Sequence, residues 1–285
     1  MMKTILSAMI LAQAVAFTAI LNAPTRRLSI ASVSWPWTKK KSTPKRMPTT
    51  VTTDSQDQLA ADKTLEMVFK NNNAWRRKML AEDSKYFDRL ANGQNPQILW
   101  IGCSDSRVPS NTIMGLDTGD VFVARNVANV VSHMDTNMMS VLQYAVTVLK
   151  VPHIVVCGHY DCGGVRASLE NVDHKAPLEQ WLRNIRDIER IHADELRSIT
   201  DLDKRTRRLV ELNVIEQCLN LFKTGIVQRR RVETFKNKEV YPFTLPRIHP
   251  FVYDPADGVL RELSVDFTSA MKKLDDVYTL YRPEE

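Results

Sequence analysis

Acidic residues are missing from the start of the chain: residues 1–53 hold eight lysines and arginines and no aspartate or glutamate. The net charge of the full chain of 285 residues is +6. Without residues 1–53 the chain has 31 basic and 33 acidic residues, so this segment carries the whole positive excess. The rest of the chain therefore lacks the basic excess of a phosphate-binding surface, and we expect no nucleic acid partner. The basic run 229–231 is interpreted as a solvated helix end.

Cysteine is also scarce. Four cysteines in 285 residues are too few for a disulfide scaffold, and the absence of a Cys-x-x-Cys pair disfavours a dithiol redox protein. Cys157 and Cys218 lie in apolar or helical stretches and are expected in the core, where a free thiol behaves as a small hydrophobe. Cys103 and Cys162 differ, because each follows a predicted strand and stands among polar and glycine residues.

The leader, residues 1–55, is expected to lie outside the fold. Its apolar run Ile5–Leu21 has 17 residues, which is the lower limit for a membrane span and also suits a secretory signal. The stretch after it is rich in Arg, Lys, Ser and Thr, a composition typical of a mitochondrial transit peptide. We predict a cleaved leader that directs the chain to the mitochondrial matrix, without stable membrane insertion of the mature protein. A secretory signal and an uncleaved cytosolic tail remain the alternatives.

From residue 97 onward, short apolar runs alternate with amphipathic stretches. Three runs have strand length, and they begin at Gln97, Val121 and His153. A helix is predicted between the last two runs. Strands separated by helices predict an α/β fold with a central, mostly parallel sheet flanked by helices. We expect one catalytic domain over residues 56–275, followed by a tail at 276–285.

Three further segments complete this domain. Segment 57–92 predicts an amphipathic N-terminal helical arm, which can pack on a second subunit. Segment 204–228 predicts another helix. Segment 247–267 predicts a β-hairpin at the sheet edge, because the turn sequence DPADG separates two strand-like runs.

Three potential metal ligands follow strands of this sheet. Cys103 ends the first run, whereas His159 and Cys162 follow the third. Because ligands bind outside the carboxyl ends of parallel strands, we expect these side chains at one sheet edge. Two thiolates and one imidazole suit zinc, and three protein ligands leave one position open, as in catalytic zinc sites. The alternative is a pair of unrelated core thiols with a hydrogen-bonded histidine.

Asp105 and Arg107 stand two and four residues after Cys103. A carboxylate this close to the metal can occupy the open position, and a bidentate pair with Arg107 can instead hold it away. The paired carboxylate stays ionised, accepts hydrogen bonds only, and is oriented toward a zinc-bound hydroxide. A surface ion pair at a helix start is the alternative interpretation.

Three motifs, CSDSRVP, GDVFVARNVAN and HYDCGGV, resemble those of β-class carbonic anhydrases in order and separation. The similarity runs from about Leu65 to Asp266 and is greatest to bacterial and fungal members. The resemblance implies reversible hydration of carbon dioxide to bicarbonate and a proton, by attack of zinc-bound hydroxide, in a homodimer or homotetramer with one Zn²⁺ per subunit. The implied zinc ligands are Cys103, His159 and Cys162, and the implied catalytic dyad is Asp105–Arg107.

Some bacterial members of this family bind bicarbonate at a second, non-catalytic site. The resemblance places Trp100, Arg125 and Tyr253 at the matching positions, which implies bicarbonate-linked regulation. Each residue also has an ordinary interpretation, as strand core, strand-end ion pair and edge aromatic, respectively. Asp117 departs from plant-type members, which carry a glutamine there, so plant-like substrate contacts are not expected.

Two rival functions stay open on the sequence. A hydrolase of carbonyl sulfide or carbon disulfide can use the same fold, and assays with both gases distinguish it. A zinc-stabilised interaction module needs no catalysis at all. Loss of carbon dioxide hydration in an Asp105→Ala variant that retains zinc separates an enzyme from such a module.

Overall fold

A computed structural model describes residues 55–237, 239–240, 243–274 and 277–278, with side chains from Lys63 onward. The predicted leader and tail lie almost wholly outside these residues, so both remain predictions. Within the described ranges, no helix combines the length and the apolar character needed to cross a membrane.

Five strands form one sheet: β1 (Ile98–Cys103), β2 (Val121–Asn126), β3 (His153–His159), β4 (Arg247–Asp254) and β5 (Val259–Glu262). In space the strands lie in the order β2–β1–β3–β4–β5. The first four run parallel, and β5 runs antiparallel to β4 at one edge. This arrangement confirms the mostly parallel sheet and the C-terminal hairpin at its edge.

Helices occupy the connections between the strands. The described helices are α1 (Ser55–Glu82), α2 (Tyr86–Ala91), α3 (Ser110–Met114), α4 (Thr136–Gln143), α5 (Gly163–Ser168), α6 (Leu178–Ile191), α7 (Ala193–Ser198), α8 (Leu202–Phe222), α9 (Gly225–Lys236) and α10 (Phe267–Lys272). The sheet and the helices from α2 onward belong to one compact unit that begins at Lys70. The arm predicted for residues 57–92 is helical, as α1 and α2.

The helix predicted for residues 204–228 is two helices. The first, α8, ends at Phe222, and the Thr224 side chain then accepts a hydrogen bond from the Val227 amide at 3.3 Å. A threonine cap satisfies an amide that has no partner in the first turn of a helix, so α9 begins here as a separate element. Apolar spacing continues across this break, which is why periodicity alone predicted one helix.

The two faces of the sheet are covered unequally. Side chains alternate along β1, so Leu99 and Ile101 face a large core that α4, α6 and α8 complete, whereas Trp100 faces a smaller cluster. Both strands at the centre, β1 and β3, are buried over nearly their whole length, as expected for parallel strands with both faces covered. Cys157 and Cys218 are fully buried in this interior, which confirms their predicted core positions.

The basic run 229–231 lies in the middle of α9 rather than at a helix end, and only Arg229 is exposed. Arg230 is buried and its guanidinium lies 2.8 Å from the Glu233 carboxylate. Arg231 donates to the Pro246 carbonyl at 3.1 Å, and burial lowers the pKa of its guanidinium. The prediction of a solvated helix end was therefore wrong, because the run lies within α9 and the guanidinium groups of Arg230 and Arg231 find acceptors on the protein.

Candidate metal centre

Three ligand atoms meet at the carboxyl edge of the sheet: the sulfurs of Cys103 and Cys162 and a ring nitrogen of His159 lie within 4.8 Å of one another. The three residues are buried. The two sulfurs are 3.9 Å apart. Two sulfurs bound tetrahedrally to one zinc ion, each about 2.3 Å from it, lie about 3.8 Å from each other. The spacing therefore fits a single zinc ion.

The environment of His159 also fits a metal ligand. Its Nδ1 lies 3.0 Å from the Tyr160 carbonyl oxygen. Because a carbonyl only accepts hydrogen bonds, Nδ1 carries the proton and donates, which leaves a lone pair on Nε2. Nε2 is buried and has no hydrogen-bond partner among the described residues. A backbone carbonyl on one ring nitrogen and a metal on the other is the usual arrangement of a zinc-bound histidine.

The two thiols of the cluster are within hydrogen-bond distance of each other. This contact lowers the pKa of the Cys103 thiol. The same bond, together with burial, raises the pKa of Cys162. Both sulfurs can be thiolates at the same time only beside a cation, because two adjacent negative charges repel each other. Cysteine binds a metal ion in this deprotonated form. By contrast, burial raises the pKa of Cys157, which keeps that core thiol neutral.

A backbone amide donates a hydrogen bond to the Cys103 sulfur. The amide of Ala128 lies 3.4 Å from this sulfur. Ala128 has a positive φ of 61°, an uncommon conformation for alanine, and it aims the amide at the cluster. A Cβ at Gly164 would lie 2.8 Å from a Val127 methyl carbon. The second glycine of HYDCGGV thus lets α5 pack closely against the segment that contacts Cys103.

Asp105 lies beside this cluster and is held by Arg107. The Arg107 side chain donates from Nε to Oδ1 at 3.0 Å and from Nη2 to Oδ2 at 2.8 Å, and its backbone amide donates to Oδ1 at 2.9 Å. These bonds hold the pKa of the Asp105 carboxyl well below its usual range. Oδ2 lies 3.8 Å from Nε2 of His159. The site therefore has an ionised acceptor next to its metal-ligand atoms.

Two side chains near the site have contacts that the sequence did not indicate. Asp161 accepts a hydrogen bond from Nη1 of Arg107 at 3.3 Å. Arg125 donates to the carbonyl oxygens of Cys103 at 2.8 Å and Asp105 at 2.6 Å. No local pattern predicted the Asp161 contact, because this carboxylate and Arg107 are 54 positions apart in the chain.

The residues predicted to bind regulatory bicarbonate share one face of the sheet. Trp100 and Tyr253 border the same small apolar cluster. The Trp100 indole is fully buried, and its Nε1 has no hydrogen-bond partner among the described residues. A Cβ on Gly102 would overlap this nitrogen, which explains the glycine before Cys103. The guanidinium of Arg125 is instead committed to the two carbonyls at the end of β1.

Taken together, a buried Cys–His–Cys set with the donor types and spacing of a zinc site and an adjacent ionised carboxylate indicate a zinc enzyme built on an α/β sheet. The carbonic anhydrase family matches residues 98–260. A carbonic anhydrase of Emericella nidulans is 47% identical over 231 residues, which cover 80% of this chain and 97% of that protein. A beta carbonic anhydrase of Arabidopsis thaliana named as mitochondrial is 32% identical, over 68% of this chain and 66% of that protein.

Solved structures agree with this result. A tetrameric β-carbonic anhydrase of Sordaria macrospora superposes with a TM-score of 0.65 and 38% identity, over 71% of this chain and 98% of that one. The chain therefore belongs to the β-class carbonic anhydrases, whose reaction is the zinc-dependent, reversible hydration of carbon dioxide. The resemblance found in the three motifs is confirmed.

Replacement of Cys103 or Cys162 by serine should remove zinc and activity together, because a hydroxyl is a harder and less readily ionised ligand. Metal analysis of the purified variants, paired with a stopped-flow assay of carbon dioxide hydration, measures both effects. Cys218→Ala is the matched control, since that buried thiol lies in the core, and it should keep its zinc. Full zinc occupancy in either serine variant would remove the ligand assignment.

Proposed function

We propose that Cys103, His159 and Cys162 hold one zinc ion in each subunit, and that Asp105 and Arg107 form the catalytic pair for hydration of carbon dioxide. The unpartnered, buried Nε2 of His159 is the observation that carries the ligand assignment. When bound, zinc supplies the Lewis acidity that makes a water molecule nucleophilic near neutral pH.

Asp105 has the properties of an orienting acceptor. Its carboxylate is ionised, so it can accept a hydrogen bond from the attacking water but cannot donate one. Arg107 keeps the carboxylate in this state and fixes its plane through two parallel hydrogen bonds. The water oxygen then bonds to the carbon of carbon dioxide, bicarbonate leaves, and the released proton passes to solvent or buffer.

An Asp105→Asn variant should retain zinc and lose about 10- to 100-fold in activity, because the amide accepts less strongly and no longer pairs with Arg107. Stopped-flow hydration assays and metal analysis on the same preparation test this. Asp257→Asn, which removes an exposed acid paired with Arg261 in the β4–β5 turn, serves as the control and should be fully active. Wild-type activity in a zinc-loaded Asp105→Asn protein would contradict the proposed pair. Parallel assays with carbonyl sulfide and carbon disulfide test substrate preference.

We further propose a regulatory bicarbonate site that includes Trp100, Arg125 and Tyr253. The buried, unpartnered indole N–H of Trp100 supports it, since such a donor is costly to leave without an acceptor. Arg125 holds the carbonyls of Cys103 and Asp105, so a bicarbonate ion that draws Arg125 away would release the segment that carries the catalytic pair. Binding at this site should therefore lower activity.

Tyr253→Phe should weaken non-competitive inhibition by bicarbonate about fivefold, the effect of one lost hydrogen bond, with basal activity nearly unchanged. Initial rates of hydration at increasing bicarbonate give the inhibition constant. Tyr144→Phe alters a half-exposed tyrosine that stacks on Phe122, and it controls for loss of a hydroxyl. Equal non-competitive inhibition of the wild-type, Tyr253→Phe and Tyr144→Phe proteins would show that the regulatory proposal is wrong.

We propose import into the mitochondrial matrix with cleavage of the leader. The acid-free, basic composition of residues 1–53 supports it, as does the plant relative that is named as mitochondrial. Residues 1–55 fused to a fluorescent reporter should carry it into mitochondria. Replacement of Arg26 and Arg27 by glutamine should reduce this import. Recovery of the cleaved reporter in the medium would establish a secretory signal instead.

We propose a homodimer or homotetramer as the working form. The Sordaria macrospora relative is described as tetrameric. Helix α1 supports association, because it exposes large apolar side chains such as Leu65 at 59% and Phe69 at 69%. A second subunit would cover such a surface, since apolar patches of this kind usually mark interaction sites.

A further inference from the structure

The guanidinium of Arg107 is shared between two loops. Asp105, in the loop after β1, accepts hydrogen bonds from Nε and Nη2 of Arg107. Asp161 lies in the loop after β3. Its Oδ2 accepts a hydrogen bond from Nη1 at 3.3 Å, and its backbone carbonyl accepts one from Nη2 at 3.2 Å. Four of the five N–H groups of the guanidinium are thus engaged, along two of its edges.

This second partner changes the mobility expected of Arg107. Its side chain is 47% exposed, and an arginine held only at one edge retains much of its large rotamer freedom. A partner on the far edge fixes both the plane and the position of the guanidinium. Because Arg107 in turn orients the Asp105 carboxylate, the Asp161 contact acts on a group 3.8 Å from His159 Nε2.

The backbone at Asp161 is suited to this contact. The residue has a positive φ of 56°, a left-handed conformation that aspartate and asparagine tolerate better than most residues. It lies between the ligand residues His159 and Cys162, so its position is set by the cluster itself. On its outer side, Asp161 Oδ1 is 3.7 Å from Arg166, which also pairs with Asp203 at 2.9 Å.

We propose that Asp161 is a positioning residue for the hydration site. It fixes Arg107 along a second edge of the guanidinium, which Asp105 leaves free, and ties the loop after β1 to the loop after β3. This inference rests on the proposed catalytic role of Asp105 and Arg107. Asp161 acts through Arg107 and touches neither the metal ligands' donor atoms nor the substrate.

Asp161→Asn should lower kcat for carbon dioxide hydration about two- to fivefold, with KM and zinc content unchanged, as expected for loss of one exposed ion pair. Asp161→Gly should give the same decrease. Glycine accepts the left-handed backbone without strain, so agreement of the two variants assigns the effect to the carboxylate rather than to the backbone. Wild-type kcat in both variants would overturn the proposal.

Exchange of the Arg107 Nε–H with water, observed by NMR, reports directly on how firmly this side chain is held. In zinc-loaded enzyme labelled with ¹⁵N-arginine, the Arg107 Nε–H signal, assigned with an Arg107→Lys sample, should exchange faster with water in Asp161→Asn than in wild type. An unchanged exchange rate would show that Asp161 does not restrain the guanidinium. Asp203→Asn is the charge control: it removes a nearby acid that contacts Arg166 instead, and it should change neither kcat nor the exchange rate. An equal loss of kcat in Asp203→Asn would mean a general charge effect and overturn the assignment.

A double-mutant cycle distinguishes the role of Asp161 from the catalytic role of Asp105 and Arg107. In an Arg107→Gln background, Asp161→Asn should cause no further loss of kcat, because Asp161 acts through the Arg107 side chain. A further two- to fivefold loss there would overturn action through Arg107 while leaving the catalytic pair intact. Full activity of Arg107→Gln alone would instead overturn the catalytic pair, and this inference with it.

Discussion

Parallel pairing of β1 with β3 is the constraint on which the metal centre depends. Gly102 lies opposite Cys157 in this register, so the strand ends that carry Cys103 and His159 reach the same sheet edge. A slip of one residue would turn every side chain of a strand to the other face. Because both strands are buried on both faces, the apolar core enforces the register and thereby brings the Cys–His–Cys donors together.

Arginine contacts then organise the loops that the core leaves unconstrained. Arg107 joins the carboxylates of Asp105 and Asp161, and Arg125 holds the carbonyls of Cys103 and Asp105. Guanidinium groups suit this role because they are planar, permanently charged and able to donate in several directions. The strand ends carry the cysteine and histidine donors, and the arginines fix the carboxylate beside them.

The small apolar cluster on the second sheet face includes Trp100 of the proposed regulatory site. Trp100 fills this face, and its indole needs the space that Gly102 leaves. One residue further, Cys103 turns to the opposite face and joins the metal centre. Trp100 is only three residues before Cys103 in the same strand, which gives the proposed bicarbonate site a short path to the metal centre.

The sequence by itself determined the elements and the donor set. Apolar runs of strand length, a turn signal and the spacing of Cys103, His159 and Cys162 predicted the parallel sheet, the hairpin and a zinc site, because alternation, turn chemistry and ligand chemistry are local properties. Tertiary structure alone decided the partners across loops. Asp161 meets Arg107 only because two strand ends become neighbours, and the buried position of Arg230 depends on how α9 packs. Contacts between distant segments depend on packing, which no window of sequence contains.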